Sequence, residues 1–250
     1  MKYLGIEPYR PKIAVFDFTS CEGCELQLVN KEETLGAFLE SVDIRRFREV
    51  TSEAHDDYDI AIIEGAITRA DEVERLRAIR QRAKVVVALG SCACYGGVAR
   101  LKNAYDLADV NREVYGQSPK DTAPTRALKE IVPVDLEIPG CPVTKSEVER
   151  VVQHVALGVT YAPPIYPVCV ECKQRFTSCV FEDGQLCLGS ITRAGCDAPC
   201  PAGGLGCWGC RGAAEGANLP ELVHIARTRG HDDVEIDERL GFFGGFEVLR

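Results

Sequence analysis

From Lys12 to about Gly158 the chain alternates short runs of β-branched and other apolar residues with stretches whose apolar positions recur every three or four residues. The first pattern predicts strands, and the second predicts amphipathic helices packed on them. Five strands are expected, at residues 13–17, 43–47, 59–64, 84–89 and 134–138. Leu28, Leu35, Leu39 and Val42 share one helical face after the first strand, and Val73, Leu76 and Ile79 share one after the third. A further helix opens at Thr144, at capping-box spacing from Glu147, and its buried stripe is Val148, Val151, Val152 and Val155. This alternation predicts an α/β domain on a mainly parallel, flavodoxin-like sheet.

After Gly158 the texture changes. Tyr161-Ala-Pro-Pro-Ile-Tyr-Pro167 favours extended backbone and marks a boundary, so residues 1–158 and 159–250 are expected to form separate domains. Residues 169–210 hold eight cysteines, many glycines and little periodicity. Such a segment is not expected to build an ordinary apolar core, and bound metal is the expected substitute. The tail predicts a helix at residues 221–228 and ends in an aromatic, glycine-rich stretch at 241–246, which could pack on the cysteine module or on a partner.

The 250 residues are 46% hydrophobic and 27% charged, the balance of a soluble globular protein, and no apolar run is long enough to span a bilayer. A net charge of −9 without clustered Lys and Arg argues against nucleic acid. The opening MKYLGIEPYRPKIAVFDF has neither an apolar signal core nor a twin-arginine pair, so a cytoplasmic location is expected. In that reducing compartment the thirteen cysteines point to metal ligation or redox chemistry rather than disulfides.

Cys21-Glu-Gly-Cys24 follows the first predicted strand, Gly90-Ser-Cys92-Ala-Cys94-Tyr-Gly-Gly97 follows the fourth, and Pro139-Gly-Cys141-Pro142 follows the fifth. A parallel sheet brings such loops to its carboxyl edge, which gathers four thiolates from distant parts of the chain. Glycines beside them let backbone amides approach an anionic sulphide cluster. Taken alone, the CxxC could be a thioredoxin-like redox pair, and four thiolates could hold structural zinc. Glu22 and Glu64 are the carboxylates nearest this edge, and each could carry protons, orient a loop or pair with a partner.

The CEGC element, Glu64-Gly65-Ala66, GSCACYGG and PGCP together resemble the small subunits of nickel-iron hydrogenases, which share this domain with the quinone-reductase subunit of respiratory complex I. The resemblance implies that Cys21, Cys24, Cys92 and Cys141 hold a proximal 4Fe-4S cluster facing a partner's nickel-iron centre, and that Cys94 is a spare, buried thiol. The complex I relative carries a tandem cysteine pair in the first loop and stops after one cluster, neither of which holds here. Some oxygen-tolerant members carry an extra cysteine where this chain has Gly23, so that adaptation is not expected.

Cys169, Cys172, Cys179, Cys187, Cys196, Cys200, Cys207 and Cys210 supply two further quartets. Two all-cysteine zinc sites would use the same ligands. By the resemblance, Cys169 replaces the histidine usual at the distal cluster, and a fourth thiolate completes a medial cluster that is often three-iron. The expected partition is Cys169, Cys172, Cys187 and Cys196 for the distal cluster, and Cys179, Cys200, Cys207 and Cys210 for the medial one, with Cys179 placed by elimination. Trp208 is read as a shield between two ligands, and His55, His154, His224 and His231 as ordinary residues outside the cysteine motifs.

The function implied is electron transfer, through three 4Fe-4S clusters, between a hydrogenase large subunit and a flavin- and NAD(P)-linked, electron-bifurcating or heterodisulphide-reductase-type subunit. No Gly-rich dinucleotide fingerprint follows a strand, so this chain is not expected to bind flavin or nicotinamide itself. The alternatives are a complex I-like quinone-reductase subunit with one cluster and a zinc-stabilised interaction module.

Overall fold

The structure, a computed structural model, describes residues 10–30, 36, 40–116, 120–157 and 159–246. The chain divides into two compact units, Met1–Ala162 and Pro163–Arg250.

In the first unit, β1 (Lys12–Asp17), β2 (Asp43–Arg46), β3 (Ile60–Glu64), β4 (Val85–Leu89) and β5 (Leu136–Ile138) form one sheet in the order β2-β1-β3-β4-β5. All four pairings are parallel. The order reverses after β1, as in a doubly wound fold. Because side chains alternate along a strand, odd and even positions serve different cores. Ile13, Val15, Ile60, Ile62, Val85 and Val87 face one way, where Leu28 of α1 (Gly23–Val29) and Val148, Val151, Val152 and Val155 of α5 (Lys145–Leu157) cover them. Ala14, Phe16, Ala61, Ile63, Val86 and Ala88 face the other way, against Leu76 and Ile79 of α2 (Ala70–Arg82) and the short α3 (Gly90–Tyr95). Both faces are covered, which is why the central strands read as continuous apolar runs. The exposed helix α4 (Leu107–Tyr115) is capped by Asp106, whose side chain accepts the Ala108 and Asp109 amides.

All five expected strands are present. The fifth is shorter than its pattern: the Asp135 N–H still donates to Val86 O (3.0 Å), but the Val86 N–H goes to the Asp135 carboxylate (2.7 Å) in place of a strand carbonyl. Phe47 leaves β2 to be buried in the first core. Val42 and Leu28 are buried there as expected, whereas Leu35 and Leu39 lie outside the described residues.

In the second unit, α6 (Val168–Gln174) and α7 (Pro199–Ala202) lie among loops, followed by α8 (Leu219–Thr228) and α9 (Asp233–Gly241). The unit does have an apolar core, contrary to the expectation from its cysteine-rich segment. Leu186, Leu188 and Ile191 pack on Leu222, Val223 and Ala226 of α8 and on Ile236 and Leu240 of α9. The apolar partners that residues 169–210 lack are supplied by the tail, whose helices are capped by Asn218 and Asp232. No described helix is long and apolar enough to cross a membrane.

Candidate metal centres

The carboxyl ends of β1, β4 and β5 carry Cys21 with Cys24, Cys92, and Cys141 respectively. Backbone bonds lock these ends together. Phe18 N–H donates to Glu64 O (2.9 Å), and Ser91 N–H donates to Gly140 O (2.9 Å). Glu64, at the end of β3, is almost fully buried, and its carboxylate accepts the Cys24 N–H (3.3 Å) and the Glu25 N–H (2.7 Å). It therefore satisfies two of the free amides at the start of α1 and fixes the backbone of the first cysteine loop. Gly90 has φ +83°, and a Cβ there would stand 2.5 Å from Cys24 Sγ. Only glycine lets the β4 loop approach the sulphur so closely.

The four sulphurs lie close enough to feel one another's charge. Burial, followed by the charges of Cys141, Glu64 and Cys21, pushes the Cys92 thiol up to about 12. Burial, and then Cys21 and Glu64, raise Cys141. Cys24 is pushed furthest, by burial first and then by Glu64, with Cys141 and Cys92 adding to it. Thiolates held this close repel one another unless a cation compensates them, so this donor set is suited to a cationic metal group. Cys94 is separate: it is fully buried on the other side of α3, where its Sγ–H donates to Ala88 O (3.6 Å).

In the second unit α6 carries Cys169 and Cys172 one turn apart. After α6 the chain folds back, with Phe176 N–H bonded to Lys173 O (3.0 Å) and Thr177 N–H to Cys172 O (3.2 Å). That turn brings Cys179 towards α6. Burial, and then the charges of Cys187, Cys172 and Cys179, push Cys169 up to about 11. Cys172 is raised by burial, and it also feels Cys187 and Cys179. Cys196 is raised by burial and feels Cys200, and Cys207 is raised by burial and feels Cys187 and Cys210. Cys187 borders both groups, since the Cys207 N–H donates to its Sγ (3.2 Å). The structure thus sets Cys179 beside Cys169 and Cys172, and Cys196 beside Cys200. Both placements differ from the expected partition, which put Cys179 by elimination with Cys200, Cys207 and Cys210, and Cys196 with Cys169, Cys172 and Cys187. Among the described residues no three His, Cys, Asp or Glu side chains are gathered as a single metal ion would gather them.

Glu22 pairs with Arg48 at the surface. Trp208 is part-covered by Arg239, whose Cζ sits 3.7 Å over its ring, and by Phe242 at 5.1 Å between centroids. A Cβ on Gly209 would stand 2.6 Å from Phe246, so the aromatic tail packs on the loop between Cys207 and Cys210. His55 pairs with Glu53, His154 with the Arg150 carbonyl, and His231 with Glu235, while His224 is exposed. Three buried charged residues escaped the sequence reading. Glu25 is pushed up to about 8, by burial first and then by Glu64, Asp17, Glu22 and Glu49. Glu171 and Arg211 lie beside Cys196. Their positions next to or between cysteines were the available signal, and burial, which distinguishes them, has no mark in the sequence.

The family described as NADH ubiquinone oxidoreductase, 20 Kd subunit, matches residues 21–155, the stretch that holds the first four clustered cysteines. Over 240 residues the chain is 36% identical to sulfhydrogenase 2 subunit delta of Pyrococcus furiosus, covering 93% of this chain and 98% of that one. It is 23% identical over 262 aligned residues to the iron-sulfur subunit of the F420-non-reducing hydrogenase of Archaeoglobus profundus, covering 80% and 82%. Among solved structures it is similar to a chain of the NAD+-reducing NiFe-hydrogenase in the H2-reduced state, with 28% identity and a TM-score of 0.57, over 62% of this chain and 96% of that one.

Proposed function

The chain belongs to the family of the NADH ubiquinone oxidoreductase 20 Kd subunit, as a small subunit of the nickel-iron hydrogenases, and from that premise we propose that it carries electrons between a hydrogen-activating large subunit and a cytoplasmic redox partner. The observation that supports this most is the convergence of Cys21, Cys24, Cys92 and Cys141 at the carboxyl edge of the sheet.

These four residues would hold a proximal 4Fe-4S cluster within residues 1–158. The eight cysteines of residues 159–250 would hold two more, Cys169, Cys172, Cys179 and Cys187 the distal and Cys196, Cys200, Cys207 and Cys210 the medial. Such clusters, when bound, supply one-electron storage at potentials set by ligand type, amide hydrogen bonds and burial. Glu64 holds the Cys24 and Glu25 amides in place, Gly90 opens the approach to Cys24, and Phe246 of the aromatic tail packs on the loop between Cys207 and Cys210. A thiolate at Cys169 would lower the distal potential relative to an imidazole ligand, which would suit a low-potential acceptor: a flavin- and NAD(P)-linked, electron-bifurcating or heterodisulphide-reductase-type subunit.

A one-cluster quinone-reductase subunit would leave the eight cysteines of the second unit without a task. A zinc module calls for sulphurs about 3.8 Å apart around each ion, from a tetrahedral Zn–S of about 2.3 Å, whereas a cubane ligand set is wider. Anaerobic purification of the complex tests the reading. About twelve iron and about twelve sulphide per chain, broad visible absorption and a co-purifying nickel-containing large subunit are expected. Colourless protein with about two or three zinc per chain would overturn it.

A further inference from the structure

Arg211 directly follows Cys210, yet its side chain is 1% exposed and heads the largest fully buried side chains of the described residues. A guanidinium stays charged when buried, so its placement is costly and calls for a reason. Its Nε donates to Ala194 O (2.8 Å). The next residue, Gly195, has φ +116°, and a Cβ there would stand 3.0 Å from Arg211 Cζ and 3.4 Å from its Nε. The chain therefore leaves residue 195 without a side chain and lays the cation against the backbone that leads into Cys196.

Glu171 grips the same turn. It is 8% exposed, its carboxylate accepts the Gly195 N–H (2.8 Å) and the Asp197 N–H (2.9 Å), and the Cys196 Sγ lies 3.9 Å from its Oε2. A buried cation and a buried anion thus bracket one cysteine, both fixed by backbone bonds. Both charges lie close enough to act on the Cys196 sulphur, in opposite senses. In a low-dielectric interior such fixed charges act with little screening.

We propose that Arg211 is a positioning residue that sets the reduction potential of the group held by Cys196, Cys200, Cys207 and Cys210, raising it through a fixed buried charge, with Glu171 acting in the opposite sense. The inference rests on reading those four cysteines as ligands of one cluster. The step concerned adds one electron to that cluster, from hydrogen oxidation in the partner or from dithionite in vitro, and makes or breaks no bond. A nearby positive charge favours the more negative, reduced form. Arg serves better than Lys, because burial cannot neutralise it.

The test is an EPR-monitored dithionite titration of the anaerobically purified complex, for wild type, R211Q, R211K and E171Q, with iron analysis of each. Wild-type protein without 4Fe-4S signals would defeat the functional reading on which the inference stands. With those signals present and iron content retained, R211Q is expected to lower one midpoint by about tenfold in the reduction equilibrium, ~59 mV for a one-electron couple, while the other midpoints hold. R211K, whose amine burial tends to neutralise, is expected at or between the wild-type and R211Q values, and E171Q is expected to raise the same midpoint. Unmoved midpoints in R211Q at full iron content, or a lowered midpoint in E171Q, would overturn the inference. If R211Q fails to retain iron, E171Q decides: a rise at one midpoint supports it, and no rise refutes it.

Discussion

A carboxylate buried at Glu64 holds the first cysteine loop by accepting the Cys24 and Glu25 amides. Removing it leaves two amide donors unmet inside the protein, each worth about 1–3 kcal/mol. Glu64→Ala is therefore expected to destabilise the protein by about 2–6 kcal/mol in denaturant unfolding, and to lower iron by about four per chain. Glu64→Gln keeps one acceptor oxygen and should fall between the two. Gly90→Ala tests the same loop from the opposite side. Its methyl group would press on Cys24 Sγ at a φ of +83°, so iron loss as large as that of a Cys24 substitution is expected. Iron content equal to wild type in Gly90→Ala would show that the loop can relax around an added methyl. Of these residues, Glu64 was legible as a carboxylate near the edge. Its capping role was not, because hydrogen bonds across 39 or 40 positions leave no local pattern.

At the scale of elements, α3 shows how one short helix sorts two cysteines. Residues two positions apart on a helix point about 200° apart, so Cys92 meets the other ligands while Cys94 turns into the second core. Cys94→Ala is expected to keep the full iron content and lose about 1 kcal/mol of stability, whereas Cys92→Ala should lose about four irons. Equal iron loss in both variants would contradict the sorting. The edge strand β2 gives a pH prediction. Arg45 donates to Asp57 at 2.7 and 2.8 Å and Lys12 donates at 3.0 Å, and the Arg45 hydrogen bond leads the causes that draw Asp57 down to about 2. A carboxyl lowered in the folded state adds stability above its unfolded value, near pH 3.8, and that stability is lost as pH falls through about 2. Wild type should therefore lose more Tm between pH 4 and pH 2 than Asp57→Asn, by a small margin because the pair is half-exposed. That margin should shrink further in high salt. The strands were legible because both faces of the sheet are covered, which makes each central strand an unbroken apolar run. The early loss of pairing in β5 was not legible, since it depends on the Asp135 carboxylate taking the Val86 amide.

For the molecule as a whole, the two units differ in how far sequence alone could go. In the first, each cysteine follows a strand, and a parallel sheet has one carboxyl edge, so topology dictates which thiols meet. In the second, eight cysteines lie on loops and short helices with no sheet to order them, and neither spacing nor elimination could show that the turn after α6 carries Cys179 back towards Cys169 and Cys172. The core that steadies this unit draws on α8 and α9, which lie beyond the cysteines, and local composition could not reveal it. The two partitions make opposed predictions for single substitutions. If Cys179 shares a cluster with Cys169, Cys172 and Cys187, then Cys179→Ser and Cys172→Ser should alter the same EPR signal and leave the signal altered by Cys207→Ser and Cys210→Ser intact. Cys196→Ser should change the signal that Cys200→Ser changes. If Cys179→Ser instead alters the signal altered by Cys207→Ser, the grouping by elimination is restored, and the turn after α6 does not decide which cluster Cys179 serves.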